Sequence, residues 1–446
     1  MKVKTNSKLL LFIILLIGFS QASQAQLWKK LKNKIEKKVE QKVGEKVDKE
    51  AEKILDKTLN GKNKKQNKSS KKNSKITTHK DSLKLKEPVL KSNTSITPTF
   101  KSYSKFDFIS GEKIIAYEDF SQDEIGDLPA RWNSTNSAEV VTIEGIDGKW
   151  MQLVKGAGAF VPDFIEEFPD NFTFEFDIIY NYDIAEYCLE REVSVIFSDV
   201  ENPEYDLEKN APGNNGFSFT IAGGVSYHGE LRYKKYASDA KLNLSSKKRN
   251  QFLETDNKGR GKKMHVAVWR QKRRMRVYFN EEKVFDIPRA FSKKQTLKNV
   301  RFFSSITEEN NNYYISNVRY AIGKPDVRGK LITEGKLVSY GITFDINSSL
   351  IKTSSYGTLK KIASVLKQNP KVKVLIVGHT DADGSADTNL ILSKSRAKSV
   401  KDVLVTEFDV SENQLSYKGK GESELLNEGT SSESKAKNRR VEFIKQ

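Results

Sequence analysis

The sequence predicts a multidomain chain: an all-β sandwich over residues 112–323 followed by an α+β domain over 330–446, both behind a basic helical or disordered arm. Three observations predict this. From about Glu112, apolar and polar residues alternate at period two, with no convincing helical repeat between the runs. After about Lys330 the period changes, and short β-branched runs alternate with segments that repeat at helical spacing. The third observation is where the charge lies. Residues 1–92 hold 25 Lys against 9 Asp and Glu, a surplus of 16 out of a net charge of +19, which leaves the other 354 residues at about +3.

Residues 1–25 read as a secretory signal. Lys2, Lys4 and Lys8 precede the apolar run Leu9–Phe19, and Ser23, Gln24 and Ala25 form a small-residue cleavage site. No Cys lies near that site, so no lipid-modified cysteine is expected there. The single Cys188 also excludes an internal disulfide and reads as a small buried hydrophobe. Residues 26–60 place Leu31, Ile35, Val39, Val43 and Val47 four apart, so an apolar stripe winds around a helix that Gly44 weakens. Two readings stay open: a basic amphipathic helix on anionic lipid with Leu27 and Trp28 as anchors, or a solvated arm without a partner. Residues 61–111 are a polar linker by composition. With the basic residues confined to this arm and the chain exported, nucleic acid is not expected as a partner.

In the β region, Phe172, Phe174, Phe176 and Ile178 share one face, and Thr173, Glu175 and Asp177 share the other. Similar runs occur at Glu192–Phe197, Phe217–Ile221, Met264–Trp269, Met275–Phe279 and Tyr313–Tyr320, divided by polar turns. The stretch His265–Ile287 resembles the hairpin of laminin-G-like and concanavalin-like jelly rolls, and Ile315–Ala321 resembles their closing strand. Some jelly rolls hydrolyse glycans with the pattern E-x-D-x-x-E. Here Glu175 and Asp177 fit, but Tyr180 stands in place of the second Glu, so the pair is expected to be solvated on the outer face. Trp132, Trp150, Trp269, Tyr227 and His228 are candidates for stacking on a sugar, although a Trp on a sandwich strand is more often core. His228 and His265 read as isolated, with no third ligand at metal spacing. A membrane barrel is disfavoured because charged residues such as Arg270–Arg276 interrupt the strands.

The α+β domain reads, in order, as a strand over Leu337–Phe344, a helix over Ser354–Gln368, a strand over Val372–Val377, a helix over Asp387–Phe408, and strands over Gln414–Lys418 and Arg440–Ile444. That is β-α-β-α-β-β. In the second helix Leu390, Ala397, Val400 and Leu404 recur at helical spacing, and Asp387 or Thr388 can cap its start. Asn389, Ser393 and Arg396 form a polar stripe near the same end, facing the loop that carries Asp381. An acid accepts from an ammonium, and a guanidinium grips a carboxylate through two parallel bonds. Spacing alone leaves two readings: Asp381 and Arg396 pair with each other, or together they hold a zwitterionic amino-acid head group. The Asp-rich loop Asp381–Asp387 does not fit a calcium loop, since Ala386 and Leu392 stand where Gly and Glu are needed. His379 reads as structural, and no metal or cofactor is called for.

The segment Gly378–Ala397 contains G-H-T-D-x-x-G, then Asn389, then L-S-x-x-R-A. Upstream lies F-D-x-N (Phe344, Asp345, Asn347), and N-R-R-V (Asn438–Val441) closes the set. These four motifs, in this order, resemble the OmpA-like C-terminal domain, a peptidoglycan-binding module of Gram-negative envelopes. The resemblance covers about Lys330–Gln446. It implies that Asp381 and Arg396 clasp the amine and carboxylate of diaminopimelate in the stem peptide, with Asn347 and Asn389 bonding the same ligand. Phe344, Asp345 and Thr380 of the matched motifs join them as ligand-binding positions. The expected protein is therefore not an enzyme. It is a non-covalent peptidoglycan binder on the periplasmic face of the outer membrane, tethering a sandwich that binds a glycan or a protein. The alternatives are a glycan hydrolase with a wall-targeting module, or an integral outer-membrane barrel.

Overall fold

A computed structural model of the protein describes residues 106–166, 168–181, 191–202, 215–225, 228–236, 244–249, 263–292, 296–306 and 311–446. All of them lie in one unit, Pro98–Gln446. The expected signal segment, the basic helix, Cys188, Tyr227 and the side chain of His228 fall outside the described residues.

Period-two segments form strands wherever the turns allow. In chain order they are β1 (Lys113–Glu118), β2 (Trp132–Ser134), β3 (Ala138–Ile143), β4 (Ile146–Leu153), β5 (Gly156–Pro162), β6 (Asn171–Asn181), β7 (Arg191–Ser198) and β8 (Gly216–Val225). There follow β9 (His228–Tyr236), β10 (Leu244–Arg249), β11 (Met264–Gln271), β12 (Arg274–Phe279), β13 (Glu282–Ile287), β14 (Asn299–Ile306) and β15 (Asn312–Ile322). They build two antiparallel sheets. One runs β13-β12-β11-β6-β15-β4-β3 with β1 also on β15; the other runs β10-β9-β8-β7-β14-β5-β2. Neither sheet closes on itself among the described residues. The sheets share one core: Phe174 and Phe176 on β6 meet Phe302 on β14 at ring-centroid distances of 6.1 and 5.0 Å. Trp132, Trp150 and Trp269 are all buried, so none of them offers a face to a sugar.

The outer face of the first sheet is covered as well. Ala267, Trp269 and Tyr278 point away from the core, and Phe106 and Phe108 pack onto them. The Phe108 ring lies 6.0 Å from Trp269 and 5.5 Å from Tyr278. Residues 106–111 were expected to finish a polar linker; instead, their alternate apolar side chains cover a sheet face that water would otherwise wet.

Beyond residue 330 lie β16 (Lys336–Ser339), α1 (Tyr356–Gln368), β17 (Val374–His379), α2 (Ala386–Thr406), β18 (Leu415–Gly421), α3 (Ser432–Asn438) and β19 (Val441–Lys445). The sheet order is β16-β19-β17-β18, antiparallel except for β17 beside β18. The α1 face named from the sequence (Leu359, Ile362, Ala363, Leu366) is buried. Helix α3 was not foreseen, because it is short and charged and has no apolar repeat. It docks on the turn after β1: Ser432 Oγ donates to Asp119 at 2.7 Å, and just ahead of the helix the Thr430 carbonyl accepts from Gln122 Nε2 at 3.1 Å. The backbone of Phe108 runs past α1 at Gly357, where any Cβ would strike the Phe108 carbonyl oxygen.

Phe108→Ala should lower unfolding stability by about 3 kcal/mol, as an aromatic lost from a packed site does. Urea unfolding of the purified chain measures it. A midpoint unchanged from wild type would restore residues 106–111 to the linker.

Candidate functional site

Helix α2 places the site. Its start is capped by Ser385, whose Oγ accepts from the Thr388 N–H at 3.3 Å; Asp387, one of the two expected caps, sits instead in the first turn. Over the first half of α2 the buried face differs from expectation. Leu390 is 49% exposed, whereas Asn389 and Ser393 are buried against the sheet. The reason is close approach. Gly378 on β17 leaves no room for a Cβ beneath the Ser393 carbonyl oxygen, so a small polar residue fits here and a leucine does not. Ser393 Oγ accepts the Gly421 N–H at 2.8 Å. Asn389 Nδ2 donates to the Asp383 carbonyl at 2.9 Å and to Glu422 at 2.6 Å, which fixes the loop after β17.

One turn further, Arg396 leaves that face. Its Nε donates to the Ser348 carbonyl at 2.9 Å and its Nη2 to the Asp345 carbonyl at 3.4 Å, while its Cζ stands 5.0 Å from the Phe344 ring centroid. Burial pushes its pKa down to about 10, against the charge of nearby Asp381. Among the described residues no carboxylate pairs with it, so its partners are neutral carbonyls and a ring. Asp381 does not pair with Arg396. Its Oδ2 accepts from Arg439 Nη1 at 2.7 Å, and its Oδ1 accepts the Asp383 N–H at 3.3 Å. A carboxylate offers about four lone-pair directions, so Asp381 retains room for another donor.

Phe344, Asp345, Arg396 and Arg439 line a cavity of about 540 Å³. Its opposite wall comes from the sandwich. The β6 register sets Asp177 opposite His265 on β11 and Ser316 on β15, and sets Glu175 opposite Ala267 and Arg319. Asp177 Oδ1 lies 2.8 Å from His265 Nδ1, and Asp177 Oδ2 lies 3.1 Å from Lys263 Nζ. Glu175 Oε1 accepts from Arg319 Nη1 at 2.8 Å and from Ser110 Oγ at 2.5 Å, and Glu175 Oε2 lies 3.4 Å from His265 Nε2. A bulge in β15 turns Asn317 to φ 54°, so that it donates to Asp177 at 2.9 Å and accepts from Tyr117 Oη at 2.8 Å. Tyr117 in turn stacks under Arg439, 5.5 Å from its Cζ. A continuous set of contacts therefore joins Glu175 to Asp381.

Burial raises both β6 carboxyls, but the Arg319 charge and the His265 bond hold Glu175 down to about 2, and His265 with Lys263 holds Asp177 lower still. Burial opposes the charge on His265, but the bonds and charges of Asp177 and Glu175 outweigh it and raise its pKa to about 9. Glu175 and Asp177 are thus not solvated, nor is His265 isolated: the expected open outer face is a buried ionic network beneath the C-terminal domain.

The comparisons with known proteins fall on this domain. Residues 343–439 match the family model described as OmpA family. This segment is an OmpA family domain. The OmpA domain is 37% identical over 111 residues to outer membrane porin F of Pseudomonas aeruginosa, a match covering 25% of this chain and 32% of the porin. It is 39% identical over 102 residues to the probable lipoprotein YiaD of Escherichia coli, covering 23% of this chain and 46% of the lipoprotein. A protein of Mycobacterium bovis named peptidoglycan-binding protein ArfA is 35% identical over 103 residues, covering 23% of this chain and 31% of its own. The chain thus spans less than half the length of these curated relatives.

Of the residues marked from the sequence, the structure brings Phe344, Asp345 and Arg396 to the cavity of the OmpA domain, with Asp381 behind Arg439. Asn389 serves the Asp381 loop, and Thr380 is buried with its N–H on the Gly421 carbonyl. Asn347 is exposed at φ 51° in the turn whose carbonyls receive Arg396. Sequence reasoning missed Arg439, although it lies in the quoted N-R-R-V motif, and missed Tyr117, Lys263 and His265, which no local pattern connects to this domain.

A group whose folded pKa is raised stabilises fully below its unfolded value and loses that stabilisation as pH climbs through the folded one. For His265 this window runs from 6.5 to about 9. Unfolding free energy should fall across it by on the order of 2 kcal/mol relative to His265→Gln. Urea unfolding at a series of pH values measures the difference, and parallel wild-type and variant profiles would count against the buried imidazolium.

Proposed function

We propose that the chain is a non-enzymatic envelope protein that binds peptidoglycan through its OmpA domain. The observation that carries this reading is Arg396: partly desolvated, set on the Phe344 ring, lining a cavity, and close to Asp381 with no carboxylate partner among the described residues. A fork so placed suits a carboxylate, and the neighbouring acid suits an ammonium, which together describe one end of diaminopimelate in a stem peptide. Arg439 occupies Asp381 in the free protein and would share it with the incoming amine. Asn389 would act by shaping the Asp381 loop, and Asn347, Asp345 and Thr380 by shaping the rim. The names of the relatives, an outer membrane porin, a probable lipoprotein and a peptidoglycan-binding protein, support this reading and a place at the periplasmic face of the outer membrane.

The two open antiparallel sheets support a jelly roll of the laminin-G or concanavalin kind for the sandwich, which the OmpA domain would tether to the wall. The basic arm would face anionic lipid. Hydrolysis is disfavoured on chemical grounds. A glycosidase acid needs a raised pKa, and both β6 carboxyls are lowered and held by cations. Tyr180, at the third position of the hydrolase pattern, is buried in the core. No helix among the described residues is long and apolar enough to cross a membrane.

Asp381→Ala and Arg396→Ala should each abolish co-sedimentation of the purified chain with peptidoglycan sacculi, and free diaminopimelate should displace the wild type. Retention of both variants on sacculi would sink the assignment.

A further inference from the structure

The cavity's walls are not balanced in charge. Six Lys and Arg side chains and His265 line it, against Glu175, Asp177 and Asp345. Most of the cations are already committed. Arg319 and His265 hold the two β6 carboxylates, Arg439 holds Asp381, and Arg440 Nε donates to Glu442 at 2.9 Å. Among the described residues Arg396 and Lys352 have no carboxylate partner, and Lys263 shares Asp177 with His265 and Asn317. Lys352 of the OmpA domain and Lys263 of the sandwich line the same cavity, and the charge of each helps hold the Asp177 carboxyl down. His379, only 2% exposed, also lines the cavity, and its Nδ1 lacks a hydrogen-bond partner among the described residues. Arg396, partly drawn out of water without a counter-charge, favours a carboxylate, and Lys352, with no carboxylate partner among the described residues, beside Lys263, whose one acid is shared, favours a second carboxylate on the same ligand. A volume of about 540 Å³ is within the usual range for a small organic ligand.

We propose that the sandwich is a wall of the peptidoglycan site rather than a separate module: the cavity takes a stem peptide by two carboxylates, one on Arg396 and a second on Lys352 and Lys263. The inference rests on the peptidoglycan reading above and adds the second carboxylate and the sandwich residue that meets it. It also gives the covered outer face of β6 a purpose. The ionic network under Lys263 holds a rigid polar wall against the ligand, and the Tyr117–Arg439 stack ties that wall to Asp381.

The test is calorimetric titration of the full chain with a soluble diaminopimelate-containing stem peptide in two forms, its glutamate carboxylate either free or amidated. Wild type should bind the free form about tenfold more tightly. Lys263→Ala and Lys352→Ala should each erase that preference, while Lys298→Ala, which removes an exposed sandwich lysine paired with Glu201, should keep it. Loss of binding in Arg396→Ala with full preference in both lysine variants would overturn the composite pocket and leave the OmpA assignment standing. Absence of wild-type binding to either peptide and to sacculi would overturn both. Thermal unfolding of each variant should match wild type, which separates loss of the preference from loss of the fold.

Discussion

A carboxylate taken out of water must be held by a cation, and the outer face of β6 meets this constraint twice. Glu175 and Asp177 project from the middle of a sheet that the C-terminal domain covers. Arg319 and His265 reach them only because the neighbouring strands are in register to set those residues directly opposite or alongside. Removing one partner from such a pair costs about 3–5 kcal/mol, since the other charge stays buried. The network therefore commits the sheet to its cover, and the cover to a particular placement. Phe106 and Phe108 fill the apolar part of the same face, so the polar and apolar halves of the interface are satisfied by different means.

From that placement follows the geometry of the cavity. Arg396 is aimed by two backbone carbonyls and a ring, none of which neutralises it. Asp381 is held one contact away, by an arginine that is itself stacked on a sandwich tyrosine. A guanidinium held by neutral groups keeps its charge for a ligand, whereas one paired with a carboxylate would have spent it. The difference between the two readings of Asp381 and Arg396 thus depends on Arg439, which arrives from the far end of the domain.

The helix that carries Arg396 shows how a local pattern can mislead. Leu390 fits the apolar repeat of α2, yet it faces solvent, while Asn389 and Ser393 face the sheet. Helical spacing identifies a stripe, but here the sheet beneath it ends in glycines and polar loops that want small hydrogen-bonding side chains. The apolar face takes over at Ala397, Val400 and Leu404, where β17 presents its branched residues.

The sequence by itself determined the two classes of folded region, the inward and outward faces of β6, the inner face of α1, and the ordered motifs that mark the OmpA domain. Each of these depends on residues close in sequence, or on a motif whose members keep fixed order and spacing. Only the tertiary structure decided what covers an outward face, which cation meets which acid, and that a sandwich strand stands across from the arginine of a domain more than a hundred residues later. A period of two states which way a side chain points and carries no information about what lies there. That is why Glu175, Asp177 and His265 read as solvated or isolated residues, and why their burial came from a surface folded elsewhere in the chain.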